Sequence, residues 1–182
     1  MTESPQSIVD FWFSAAVRPL WFKSTPEFDN QLRERFEQLW CQAAAGKLDS
    51  WAKSAEGALA LVILLDQIPL NIFRGKASSF STEAKAREIA GRAIDKGWDT
   101  TLTDVQKAFL YMPFMHSETM GDQERSVVLY QAAGLEYNLE FAKHHRDIIK
   151  RFGRFPHRNT ILGRESTAAE QAYLASDEAF HG

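Results

Sequence analysis

Residues 56–69 read Glu56-Gly57-Ala58-Leu59-Ala60-Leu61-Val62-Ile63-Leu64-Leu65-Asp66-Gln67-Ile68-Pro69. Ala58–Leu65 is the longest apolar run in the chain. It reads as part of a helix buried on all sides, spanning about Glu56 to Gln67 and broken by Pro69. The run is far shorter than the ~20 residues that span a bilayer. A helix buried all round needs other elements around it, and the flanking sequence supplies helices.

Upstream, Ser4-Pro5 pairs a capping residue with proline at the first helical position, followed by the apolar face Ile8, Phe11 and Trp12. Thr25-Pro26 repeats the signal, and Phe28, Leu32, Phe36, Leu39, Trp40 and Ala43 follow at helical spacing, with Gly46 as the stop. Downstream, Ala86, Ile89, Ala90, Ala93 and Ile94 mark a helix from Thr82 to Lys96, ended by Gly97. Thr103 with Gln106 forms a capping box for a helix reaching Met112, where Pro113 interrupts. A long helix is expected from Asp122 to Phe152, bent near Gly134 and capped by Gly153. Arg154–Arg164 reads as a loop, and Thr167 with Glu170 opens a short terminal helix. Period-two alternation bounded by hairpin turns is nearly absent. The expected fold is all-α, a compact antiparallel helical array, in one domain over residues 1–182.

Composition fits that picture. The chain has 182 residues, 45% of them hydrophobic and 25% charged, with a net charge of −3. These are globular values, and the acidic balance argues against a dedicated nucleic-acid binder. The single cysteine, Cys41, precludes an internal disulfide and, beside Trp40, reads as packing. Residues 1–10 lack the basic start and apolar run of a signal peptide. A cytoplasmic protein without membrane insertion is the expectation.

Four polar groups need a purpose. Lys150, Arg151, Arg154, His157 and Arg158, with Arg164 beyond, cluster at the end of the long helix. Guanidinium groups suit bidentate capture of carboxylate or phosphate, so an anion-binding loop is one reading. Helix-dipole complementation and clamping of core carboxylates is the other. His116-Ser117-Glu118 brings together a base, a hydroxyl and a carboxylate, or it caps the next helix. His145 lies on the stripe Phe141, Ile148, Phe152, which favours a core histidine over a metal ligand. Asp66 ends the apolar helix beside Gln67, Asn71 and Arg74; its burial requires a partner or a pocket. No dinucleotide or phosphate-loop fingerprint occurs, and no cofactor or metal is expected.

Three strings are distinctive together: Leu64-Leu65-Asp66-Gln67-Ile68-Pro69-Leu70-Asn71-Ile72-Phe73-Arg74-Gly75, then Met112-Pro113-Phe114-Met115-His116-Ser117-Glu118, then Arg151-Phe152-Gly153-Arg154-Phe155-Pro156-His157-Arg158-Asn159. With Trp21-Phe22 and Leu162-Gly163-Arg164, the chain from about Val9 to Leu174 resembles the bacterial family called domain of unknown function 924. The resemblance implies a helical fold similar to tetratricopeptide-repeat proteins, and no established activity, substrate or cofactor. Leu70 stands where that family usually carries arginine.

The residues favour a binding module. Asp66, Asn71, Arg74, Arg151, Arg154, His157 and Arg158 are the candidate ligand-binding residues, for a small anion, an acidic peptide or a protein partner. The alternative is a hydrolase-type enzyme drawing its acid and base from His116, Glu118 and His145.

Overall fold

The computed structural model describes residues 3–181, and every regular element among them is helical. The α-helices are α1 (Pro5–Trp12), α2 (Pro26–Ala44), α3 (Ala55–Val62), α4 (Ile68–Ile72), α5 (Glu83–Asp95), α6 (Asp104–Met115), α7 (Met120–Ala132), α8 (Glu136–Phe152) and α9 (Ala168–Leu174). Short 3-10 turns punctuate them. The chain divides into two compact units. One comprises the residues up to Arg74 together with Ser78–Pro113; the other comprises Gly75–Ala77 and the residues from Phe114 onward.

The first unit is built around the apolar run. Ala58 is 1% exposed and Leu59–Leu65 are 0% exposed, so the helix has no solvent face. Helix α1 and helix α5 pack on α3, and α2 packs on α4. The start of each outer helix is set locally. Ser4 accepts from the Ser7 amide and Thr25 from the Phe28 amide, each followed by proline in the first turn. Cys41, expected as packing, is exposed.

The helix does not stop at Pro69. A π-helical turn, Ile63–Gln67, joins α3 to α4, and the Ile68 amide donates back to the Ile63 carbonyl. The resulting 18-residue run, Ala55–Ile72, is long and apolar enough to cross a membrane by length and composition, and 83% of it is buried inside the protein. Proline supplies no N–H to the carbonyl four residues back. That carbonyl, on Leu65, instead accepts the Thr82 hydroxyl at 2.6 Å. Thr82 in turn accepts the Trp40 indole N–H at 3.1 Å. The break expected at Pro69 is thus overridden by a side chain from the start of α5. Thr82→Val keeps the shape and removes both bonds. It should cost about 2 kcal/mol in urea unfolding, and a loss within a few tenths would show that the Leu65 carbonyl needs no substitute donor.

In the second unit, the single long helix expected from Asp122 to Phe152 is two helices, α7 and α8, packed along each other. Gly134 separates them with φ +68°. The Leu135 amide reaches the Tyr130 carbonyl and the Gly134 amide reaches Gln131. This pairing of bonds is the Schellman stop, so Gly134 ends a helix rather than bending one. Helix α8 buries Leu139, Ala142, His145, Ile148 and Ile149 on one stripe. Ile148 and Ile149 form a core with Phe155 and Tyr173, against which Phe152, Leu174 and Phe180 pack. At its far end Gly153, with φ +72°, donates to the Ile149 carbonyl, and Thr167 and Glu170 complete a reciprocal capping box on α9.

Candidate functional site

In the first unit, the residues after Pro69 are committed to one carboxylate. Arg74 donates to Asp29 from Nε at 2.7 Å and from Nη2 at 3.1 Å. Asn71 Nδ2 donates to Asp29 at 2.7 Å and to Ser24 Oγ at 2.9 Å, and the Ser24 hydroxyl also donates to Asp29. Burial works to raise the Asp29 carboxyl, but the bonds from Arg74, Ser24 and Asn71 outweigh it and hold it below its usual value. Asp66 is fully buried and accepts from Gln67 Nε2 at 2.7 Å. A carboxylate oxygen of Glu83, at the start of α5, lies within 4.8 Å of one on Asp66.

In the second unit, two arginines that sequence reading leaves open are paired. Arg154 grips Glu170 with Nε at 2.6 Å and Nη2 at 2.8 Å, and Nη2 also reaches the Glu165 carbonyl. Glu170 is 2% exposed, and Arg154, with the amide of the capping residue Thr167, pulls its carboxyl down to about 2. Arg164 Nη1 and Nη2 donate to Glu118 at 2.7 and 2.9 Å, and the Phe155 amide donates to the same carboxylate at 2.8 Å. Burial would raise Glu118; Arg164 and that amide lower it further than burial lifts it. Arg158 is buried, its guanidinium 4.9 Å above the Phe155 ring.

The candidate acid–base groups sit in that frame. Ser117 donates its hydroxyl to Asp122 at 2.6 Å and accepts the Thr119 amide, which fixes the start of α7. Glu118, tied to Arg164, is held ionised and serves as no proton donor near neutrality. His145 is 5% exposed, with Nδ1 at 2.8 Å from the Phe141 carbonyl. A carbonyl only accepts, so the proton is on Nδ1. Burial pulls this imidazole down to about 3. His157 packs against Phe155 and Phe180, its buried Nδ1 without a hydrogen-bond partner among the described residues. Burial, then the Arg158 charge, lowers it to about 4. Both rings are neutral at pH 7 and face apolar neighbours. His116 follows α6 directly and is half-buried.

Arg151 behaves differently. It is exposed, and its guanidinium stands 4.7 Å from the Phe152 ring centre and 5.7 Å from that of Tyr173. Among the described residues no carboxylate lies within 4.0 Å of it. It borders a cleft of about 290 Å³ lined by His144, Asp147, Ile148, Arg151 and Phe152 of α8, by Tyr173 of α9 and by Glu178 beyond it. The five α8 residues stand at i, i+3, i+4, i+7 and i+8, which is one helical face. Of the expected ligand-binding residues only Arg151 lines this cleft. Arg154 and Arg74 are held by protein carboxylates, and Arg158 is buried. The spacing of His144, Asp147 and Arg151 was a signal available in the sequence. Tyr173 and Glu178 carried none, since their approach to α8 is a matter of tertiary packing.

The Pro69 region, Glu118 and Arg154 belong to the three strings that the sequence singles out. The family model described as "Bacterial protein of unknown function (DUF924)" matches residues 8–178. The chain belongs to this family. A solved structure from Agrobacterium tumefaciens, described as protein of unknown function ATU0120, is 44% identical, with a TM-score of 0.89 over 94% of this chain and 96% of that one. None of the curated proteins matches. In this chain the three strings supply Asp66, Glu118, Arg154 and Arg158, all of which are buried or paired.

Proposed function

We propose that this member of the DUF924 family is a binding protein whose second unit holds the anionic group of a small molecule, or of an acidic peptide, in the cleft beside α8 and α9. The observation that carries this reading is Arg151. Its guanidinium is braced over two rings and left without a protein carboxylate, which keeps all its donors available. Guanidinium geometry suits two parallel bonds to a carboxylate or phosphate. The cleft volume of about 290 Å³ lies near the lower end of small-molecule sites.

A hydrolase built on His116, Glu118 and His145 finds less support. His145 is neutral, buried and aimed at a backbone carbonyl, and Glu118 is spent on Arg164.

The test is calorimetric titration at low salt with succinate, inorganic phosphate and a blocked acidic peptide. At least one should bind, and Arg151→Ala should weaken it by about tenfold or more, in the range of a lost charged hydrogen bond. A ligand at a hundredfold its dissociation constant also adds about 2.7 kcal/mol of stability, visible as a thermal shift that the variant loses. Binding unaffected by Arg151→Ala, or no binding by any carboxylate- or phosphate-bearing probe, phenylalanine and 3-phenylpropanoate included, ends this reading.

A further inference from the structure

The cleft's remaining charges narrow the ligand class, and this step rests on the reading of the cleft just given. Asp147 and Glu178 line it together with Arg151. Asp147 already receives Arg146 at 2.8 Å. Glu178 is exposed and, among the described residues, has no cation within 4.0 Å, Arg151 included. Two opposite charges therefore open onto one cleft without neutralising each other. A plain anion at Arg151 would share the cleft with two like charges. A ligand carrying an ammonium as well as a carboxylate would find a complement for each charge. Ile148, Phe152 and Tyr173 add apolar wall to the same cleft, which suits a hydrocarbon or aromatic group and is wasted on a small inorganic ion.

We infer that the cleft takes a small zwitterion with an apolar side chain: a free α-amino acid or short peptide whose carboxylate sits on Arg151 and whose ammonium faces Glu178. The geometry requires no covalent step, only recognition of two charges and a side chain. Exposed charge pairs are individually weak and screened by salt. Glu178 thus contributes discrimination rather than most of the affinity, which comes from Arg151 and the rings.

The test compares three probes of one shape on the full chain at low salt: phenylalanine, 3-phenylpropanoate, which lacks the ammonium, and phenethylamine, which lacks the carboxylate. Phenylalanine should bind about fivefold or more tighter than 3-phenylpropanoate. Glu178→Gln should erase that preference while leaving 3-phenylpropanoate bound as well as before or better. Arg151→Gln should weaken both carboxylate-bearing probes. Both variants change exposed residues, so circular dichroism and thermal unfolding should match the parent. If 3-phenylpropanoate binds through Arg151 as tightly as phenylalanine, the zwitterion assignment is wrong while the anion-binding reading stands. If phenethylamine binds best, the carboxylate on Arg151 is not the anchor and the assignment also falls. If succinate, phosphate, the blocked acidic peptide and all three aromatic probes fail to bind, both readings fall together.

Discussion

Lowering the pH from 7 to 5 should remove about 3–4 kcal/mol of unfolding free energy from the unit that holds His145 and His157. Both imidazoles are held below their ordinary value of 6.5, at about 3 and about 4, mainly by burial. A depressed folded value means that the unfolded chain takes up the proton first. The stability they represent is complete above pH 6.5 and drains away as the pH falls toward 4 and 3. Each costs about 1.4 kcal/mol per pH unit in that window, an upper figure for His157, which is partly open to solvent. Burial is the largest cause for both rings, and the Arg158 charge adds to it at His157; the Phe141 carbonyl at His145 and the Glu118 carboxylate at His157 work the other way without reversing the direction. The lowered carboxyls of Glu118, Glu170 and Asp29 lose their contribution only as the pH falls through and below their ordinary range near 4, so the histidine window comes first. Urea unfolding at pH 7.5, 6 and 5 checks this, with His145→Leu as the control. That variant is weaker at pH 7.5, since the Phe141 carbonyl loses its donor, and its slope with pH should be about half. Equal slopes in parent and variant would show that His145 does not titrate on unfolding.

Gly57→Ala should destabilise the protein by about 3 kcal/mol or more, as an overpacked site with no room to relax. The sign is the diagnostic part, because alanine in a helix is ordinarily favoured over glycine by about 1 kcal/mol. Gly57 lies in the first turn of α3, where a β-carbon would overlap the carbonyl of Trp51 and reach Ser54 Oγ at 3.0 Å. The Trp51 obstacle is backbone, so no rotamer change clears it. The Ser54 hydroxyl also caps this helix by accepting the Gly57 amide at 3.1 Å. Relief of the clash therefore disturbs the cap as well. Chemical denaturation of the purified variant decides the matter, and a neutral or stabilising result would mean that the 3-10 turn Asp49–Lys53 yields easily.

The sequence alone determined the all-α class, the family and most helix starts and stops. Caps such as Ser4, Thr25 and Thr167, and stops at Gly97 and Gly153, act within one turn of chain, so their physics is written in neighbouring residues. Local rules failed where a distant group intervened. Proline should have ended the helix at Pro69, but Thr82, 17 residues from Leu65, supplies the bond that proline withholds. The run from Asp122 to Phe152 read as one helix because its apolar spacing barely falters at Gly134, whereas the chain there turns back to pack α8 on α7. Arginines that looked open in the sequence, Arg154 above all, are closed by carboxylates such as Glu170, and the exposed Arg151 gained significance only when Tyr173 and Glu178 were placed beside it. Composition and spacing fix what each segment can bury and how it begins. Which charge neutralises which, and which is left facing a cleft, depends on distances between segments far apart in the chain, and only tertiary packing sets those.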